Sequence, residues 1–438
     1  MRVMIVDTEL AGLDFAQRCV ADGHEAMLFQ QTTKPIGKGF KGVKRSNDLA
    51  EAMRWCGKDG LVLPTGNSKF VRELDRYREF GFKIFGPTIQ SAALEVDRKK
   101  GMEAMKSIGI DLPHYEIFDS LEAAEAFARK ADQAYVFKPL GSEEDKSLTY
   151  CSKSPADMVG WLQRQQARGM KVSQCMLQEK IDMMAEVGVS GWFGPEGFLP
   201  EKWQTCVEHK ALCNGEIGPA TGEMCTLTQY ADTDKMAEEM LAPLAPVLQA
   251  LGHRGDFAIG CGIDKSGKAW PFEFTVRCGW PCFYIQTASH KGDVVQWMMD
   301  LMNGEDTLKV DYRPSMGVVL AQPPWPQFNG KEELVCGNPI SGMDDVWDQV
   351  HPVMMMIDKG PYMDGDKVKE GPVHQTCGEL VAVVTGVGST VTKARKSVYD
   401  AIDQIDFSDM IYRTDCGEKI EKCLPDLHEA GYLTGMEY

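Results

Sequence analysis

A lysine at the end of a strand, with a second lysine across a turn that holds a glycine, can reach phosphate oxygens without a helix-borne phosphate loop. The stretch FKPLGSEEDKS offers such a pair in Lys138 and Lys146. No G-x-x-x-x-G-K-S/T motif is present to do the same work. The chemistry would be charge neutralisation of a transferring phosphoryl group. Further on, CMLQEKIDMMAE closes an apolar strand with Glu179, Lys180 and Ile181, whose backbone groups could meet the edge of an adenine, and Glu186 could accept hydrogen bonds from ribose hydroxyls. In WPFEFTVR, period-two alternation sets Glu273, Thr275 and Arg277 on one face of a strand. A carboxylate set among Trp270, Phe272 and Phe274 needs a partner, either Mg²⁺ or an arginine. Each feature also has a bland reading: solvated lysines, an exposed acidic loop, a Glu–Arg ion pair. Taken singly, only Glu273 rises above it.

The elements that must hold these residues follow from periodicity. Val3 to Val6 form a short apolar strand, followed by a helical pattern through Phe15, Cys19 and Val20. Leu61 to Leu63 form a second strand, a helix carries Phe70, Leu74 and Tyr77, and FKIFGPT adds a third strand. Alternation of this kind predicts a parallel sheet, and residues 1–95 are expected to be an N-terminal α/β domain. Residues 114–180 read as strand, helix, strand, loop, strand, helix, strand, a small α+β lid inside a region spanning 96–310. Residues 190–229 lack a helical period and read as strands and loops that line a site. MAEEMLAPLAPVLQALG predicts one amphipathic helix, and DFAIGCGIDKSGKAWPFEF a hairpin turning at Lys265 to Gly267. SMGVVLA, ELVAVVTGVG and the helix TKARKSVYDAIDQI predict a mixed α/β domain over 311–438. The fold class is thus multidomain α/β and α+β.

Composition narrows the function. At 438 residues, the chain exceeds one core, since domains run to about 100–200 residues. Its 43% hydrophobic and 25% charged residues are ordinary for a soluble protein, and no stretch approaches the roughly 18 apolar residues of a membrane span. The amino terminus shows no signal core, so a cytoplasmic location is expected, with no membrane partner. A net charge of −17 argues against nucleic acid as the partner. The 14 cysteines are scattered without a C-x-x-C pair and are expected to be reduced thiols.

Taken in order, the motifs resemble the ATP-grasp superfamily, and within it the phosphoribosylamine-glycine ligases. AYVFKPLGSEEDKSL is similar to that family's V-V-K-x-x-G-x-x-x-G-K-G, with Lys138 and Lys146 on its two lysines. VEHKALCNGEIGPATGEM is similar to D-H-K-R followed by G-P-N-T-G-G-M, and PFEFTVRCGWP to L-E-F-N-x-R-F-G-D-P. LVAVVTGVGSTVTKARKSVYDAI and IYRTDCG resemble the V-L-A-V-T-G-x-G and Y-R-x-D-I-G that close the family's sequence, and Arg98 falls where a basic phosphate-binding residue is usual. The resemblance implies an ATP-grasp fold and an ATP-dependent ligase of the carbon–nitrogen class that works through an acyl phosphate, a step of purine biosynthesis in the family. It implies ATP and Mg²⁺ or Mn²⁺ as cofactors, and a small carboxylate and an amine as substrates, in a monomer or homodimer. The nucleotide would be held by Arg98, Lys138, Lys146, Glu179, Lys180, Ile181 and Glu186, and the metal by Glu273 and Thr275. Substrate would meet His209, Thr221, Gly222 and Arg277, with Arg277 and Lys210 as the catalytic pair.

The sequence departs from the family mainly on the substrate side. VDTELAG stands where the family has G-S-G-G-R-E-H, a loop that would cradle a phosphate through backbone amides. PTGNSKF replaces P-E-x-P-L, Thr275 replaces an asparagine, and Trp280 an aspartate. GPATGE brings Ala220 and Glu223 into a glycine-rich run. The expected reading is a ligase with an altered substrate pair. An authentic phosphoribosylamine-glycine ligase and a non-catalytic ATP-binding descendant remain as alternatives.

Overall fold

The computed structural model describes residues 1–140, 148–326 and 335–438. Lys146 therefore lies outside the described residues.

The N-terminal strands Arg2–Val6, Glu25–Phe29, Val43–Ser46, Leu61–Pro64 and Lys83–Ile84 pair in parallel. Arg2–Val6 lies in the middle of their five-stranded sheet. Its residues Val3 to Val6 are buried on both faces, as an uninterrupted apolar run in a helix-covered sheet requires. The helices Leu13–Ala21 and Leu49–Cys56 put Phe15 and Cys19, and Met53 and Cys56, against it.

The lid holds four antiparallel strands, Tyr115–Phe118, Gln174–Glu179, Tyr135–Leu140 and Tyr150–Cys151 in spatial order. One face is covered by the helices Leu121–Ala128 and Pro155–Ala167. Tyr135 and Phe137 point into that core with Trp161 and Leu177. Lys138 falls on the opposite face by alternation.

A nine-stranded sheet forms the body of the molecule. Ala269–Thr275, Gly255–Asp264, Met183–Gly194, Trp203–Cys213 and Ile217–Ala231 follow one another across it, all antiparallel. The sheet continues through Ser315–Ala321 and Leu380–Val387, past residue 311. The hairpin expected between the strands ending at Asp264 and starting at Ala269 is present, with Gly267 at φ +81° in its turn.

Two expectations are corrected. The stretch from Met236 is not one regular helix: a wide turn over Ala237–Leu241 passes to a tight one over Ala242–Leu244 before the helix Ala245–Ala250. Pro243 and Pro246 explain the break, because neither offers an N–H and each ring crowds the preceding turn. Nor are all cysteines reduced, since Cys225 and Cys416 are joined by a disulfide. Among the described residues no helix is long and apolar enough to cross a membrane.

Candidate active site

Strand register alone assembles most of the site. In antiparallel strands directly paired residues share a face, and Thr275, Ala258, Ser190 and Gln204 form one such row. The next row is Glu273, Gly260, Gly188, Cys206 and Thr228. Two residues further along their strands lie Glu186 and Glu208, and beyond Glu208 is Lys210. Gly188 is required where it stands, because a Cβ there would come within 2.5 Å of the Cys206 sulfur. This face lines a cavity of roughly 250 Å³ that also includes Gly222, Glu223, Asp256, Arg277, Trp280 and Cys282. Larger surface grooves elsewhere are lined by none of the residues expected to act.

The cationic end is built by the lid and by the helix Arg98–Ser107. Lys138 is buried, with Nζ 5.6 Å from the centre of the Phe272 ring. Burial, aided by repulsion from Arg98, pushes its pKa down to about 8 against the attraction of Glu273. Arg98 donates from Nη2 to Thr149 Oγ1 at 3.0 Å, while Nη1 is buried without a partner among the described residues. Burial lowers the Arg98 pKa, and Glu273 opposes the shift. Two desolvated cations thus converge beside one carboxylate. A buried unmatched donor costs about 1–3 kcal/mol, so the arrangement suits a site that is completed by an anion.

Glu273 is corrected in one respect. It is exposed to the cleft and is not enclosed by its aromatic neighbours. Phe274 points into the core on the other face, and the irregularity of register at Gly260 and Cys261 shifts the strand locally. Thr275 lines the same cavity. Arg277 lies just beyond the strand and pairs with Glu95, at 3.5 Å, not with Glu273. Glu95 also accepts from the Val276 N–H at 2.8 Å, so one carboxylate fixes both the backbone and the guanidinium.

Lys210 is shared by two carboxylates, Glu186 Oε1 at 2.6 Å and Glu208 Oε2 at 3.1 Å. Burial lowers its pKa, but Glu208, Glu186 and Glu273 outweigh that and hold it well above the ordinary lysine value. Thr221 donates its hydroxyl to the Lys210 carbonyl at 2.9 Å, and Gly222 lines the cavity.

His209 does not face the cleft. Alternation along Trp203–Cys213 turns it to the other side of the sheet, where it is buried, with Nδ1 2.6 Å from Glu216 Oε1 and Nε2 accepting from the Gly417 N–H. At the hinge of the lid, the Glu179 N–H donates to the His114 carbonyl and the Lys180 N–H to the Ala134 carbonyl. The Ile181 N–H takes no part in that pairing. Lys180 Nζ donates to the Ser152 carbonyl at 3.1 Å.

The loop after Val6 is closed by its own side chains. Asp7 Oδ1 accepts from the Ala11 N–H at 2.7 Å, and Gln30 Nε2 donates to Asp7 Oδ2 at 2.6 Å. Thr65 Oγ1 accepts from the N–H groups of Thr8 and Glu9 at 3.1 and 3.3 Å. The amides that an anion would need are taken, and a carboxylate already sits at the start of the helix Leu13–Ala21.

Residues 315–419 match the phosphoribosylglycinamide synthetase C domain. Over 395 residues the chain is 27% identical to the phosphoribosylamine–glycine ligase of Allochromatium vinosum, covering 85% of this chain and 87% of that protein. The phosphoribosylamine–glycine ligase structure from Thermotoga maritima matches with a TM-score of 0.72 over 95% of this chain and 100% of that one, at 19% identity. The chain has the ATP-grasp fold and resembles the phosphoribosylamine–glycine ligases. Biotin carboxylase from Campylobacter jejuni, solved as a beta-gamma-ATP complex, shares the ATP-grasp architecture with a TM-score of 0.63 at 12% identity, over 98% of this chain and 97% of that one.

Among the described residues no three His, Cys, Asp or Glu side chains are placed to hold an ion. Glu273 with Thr275 suits Mg²⁺ that keeps phosphate oxygens and water as its other ligands. Sequence reading missed Glu95, Glu208, Asp256, Cys206 and Cys282. Alternation from Lys210 back to Glu208 and Cys206, and from Gly260 back to Asp256, carried the signal for three of them. Glu95 and Cys282 come from separate helical segments and had none.

Proposed function

We propose that this ATP-grasp ligase joins a small carboxylate to an amine through an acyl phosphate, with a substrate pair changed from that of the phosphoribosylamine–glycine ligases. The observation that carries the reading is the convergence of buried Lys138 and half-buried Arg98, whose Nη1 has no partner among the described residues, on the cleft that holds Glu273 and Thr275. Lys138 and Arg98 bind the nucleotide phosphates, and the lid hinge at Glu179, Lys180 and Ile181 meets the base. Glu186, held on Lys210, faces the ribose. Glu273 and Thr275 would hold magnesium, which supplies charge neutralisation on the phosphates when bound. Arg277, fixed by Glu95, orients the carboxylate toward the γ-phosphorus, and Lys210 offsets charge on the acyl phosphate.

The carboxylate oxygen bonds to the γ-phosphorus as the bond to ADP breaks. The amine nitrogen then bonds to the acyl carbon, phosphate leaves with the electron pair of the C–O bond, and the amine loses one proton. Positioning and charge account for such a reaction without a strong general base. The changed substrate pair is supported by Asp7 and Thr65, which occupy the loop amides beside the first strand. The test is ADP release from MgATP over a panel of amino acids and amines. Release with glycine and phosphoribosylamine at an ordinary enzymatic rate would overturn the changed pair. Release with no combination, despite ATP binding, would overturn the ligase reading in favour of a binding protein.

A further inference from the structure

We infer that the inner end of the cleft is an ammonium subsite, formed by Glu223 and Asp256 against the Trp280 ring, for a substrate that carries a primary ammonium group. The inference rests on the ligase reading of the same cleft and names one class of molecule that it takes. Glu223 and Asp256 are 4% and 3% exposed, and both line the cavity. Each has a buried carboxyl oxygen without a partner among the described residues, Glu223 Oε1 and Asp256 Oδ1. A carboxyl group buried in that state costs several kcal/mol unless a cation or donor completes it.

The chain's own cations are committed elsewhere. Lys210 is already divided between Glu186 and Glu208, and Arg277 faces Glu95. Burial first, then repulsion from Glu208 and Cys206, lifts the Glu223 carboxyl well above the usual range, and Lys210 offsets this only in part. Asp256 is raised to about 7 by burial, although Gln286 and the Gly279 and Phe257 backbone donate to it and the Arg277 charge, itself paired with Glu95, attracts it. Cys282, which lines the same cavity, feels the charge of both acids and contacts Cys206.

Among the described residues no third His, Cys, Asp or Glu side chain joins the two acids to hold an inorganic cation. An anionic group does not fit either, with two acids at this end and Asp7 closing the neighbouring loop. That loop adjoins the cavity: Trp280 packs edge-on against Tyr284, whose hydroxyl donates to the Ala11 carbonyl. An alkylammonium suits both the open carboxyl oxygens and the aromatic face of Trp280. The ammonium can belong to the amine substrate, as in a diamine, or to the acid, as in an amino acid.

The test is calorimetric titration of the full chain with putrescine for the first source, γ-aminobutyrate for the second, and the diol of putrescine's length and inorganic phosphate as controls. At least one ammonium compound is expected to saturate the chain at millimolar concentration or below, with the diol at least tenfold weaker and phosphate excluded. Glu223→Gln and Asp256→Asn, both isosteric, are each expected to weaken it at least tenfold. Equal binding of the diol, absence of binding by both ammonium compounds, or binding undiminished in both variants would overturn the subsite. If a variant does not fold, the comparison of diamine with diol on the parent chain decides. ADP release judges the ligase reading separately. Ammonium binding without any ADP release keeps the subsite and removes the ligase, whereas ADP release that neither variant changes keeps the ligase and removes the subsite.

Discussion

The two ends of the cleft are unsatisfied in opposite senses. At the lid end, Lys138 is a buried cation and Arg98 a half-buried one, and an Arg98 N–H has no acceptor among the described residues. At the inner end, Glu223 and Asp256 are buried acids, each with an oxygen that has no donor among the described residues. Between them Lys210, Glu186 and Glu208 form a matched group. A fold that merely tolerated charge would cancel the ends against each other across the cavity. Keeping them apart is destabilising by a few kcal/mol in the absence of ligands, and the proposed ligands, phosphates on the lid side and an ammonium on the inner side, would relieve it.

The strongest way to break this comparison is to remove the lid-side charge. Lys138→Ala is expected to weaken ATP binding about a hundredfold, roughly 3 kcal/mol, the scale of a buried charge-assisted contact. Calorimetry with ATP and Mg²⁺ measures it, and a loss of threefold or less would mean that Lys138 does not touch phosphate. Ammonium binding at the inner end should stay within twofold in the same variant, which separates the two ends.

A pH series sharpens the same point. Lys138 has its pKa depressed to about 8 in the free protein. Below that pH it is charged and ready for phosphate. As pH rises through about 8 the free protein loses the proton that the complex must regain, so affinity should fall, approaching tenfold per pH unit above that value. Lys138→Arg stays charged throughout and should flatten the profile. A parent profile that is flat from pH 7 to pH 9.5, an interval chosen to bracket the shifted pKa by about a unit on each side, would remove Lys138 from the phosphate contact.

Arg277 tests whether the middle of the cleft orients the acid. Arg277→Lys keeps the charge but loses the guanidinium that Glu95 and the Cys278 carbonyl hold, and should lower kcat/KM for the carboxylate about tenfold while the ATP dissociation constant stays within twofold. Glu95→Gln should give a smaller loss in the same direction. An equal loss of ATP affinity would place Arg277 on the nucleotide instead.

Much of this is legible in the sequence, and unevenly so. The parallel sheet through Val3 to Val6, the alternating lid order and the hairpin at Gly267 follow from local periodicity, which the chain states directly. The face that joins Glu273, Glu186 and Lys210 depends on register between strands far apart in sequence, and only the family resemblance pointed to it. Partners escaped for the same reason. Glu95 meets Arg277 from 182 residues away, and no local pattern couples them. The interrupted stretch from Ala237 to Ala250 misled because its apolar spacing looks helical while Pro243 and Pro246 remove the hydrogen bonds that would keep it regular.

His209 gives the smallest expected effect. Resemblance puts it beside Lys210 in the substrate site, but alternation along the strand sends the two side chains to opposite faces. His209 meets Glu216, and Glu216 in turn meets Arg413 at 2.9 Å, tying the strand end to the segment around Asp415. Burial lowers the His209 pKa, opposed by Glu216, so the ring acts as a structural link and not as a base in the cleft. His209→Gln is expected to reduce stability by about 1 kcal/mol, because Glu216 is partly exposed and keeps Arg413. It should leave KM for both substrates within twofold. A KM raised tenfold at unchanged stability would put His209 back among the substrate contacts and show that the strand rearranges when ligands bind.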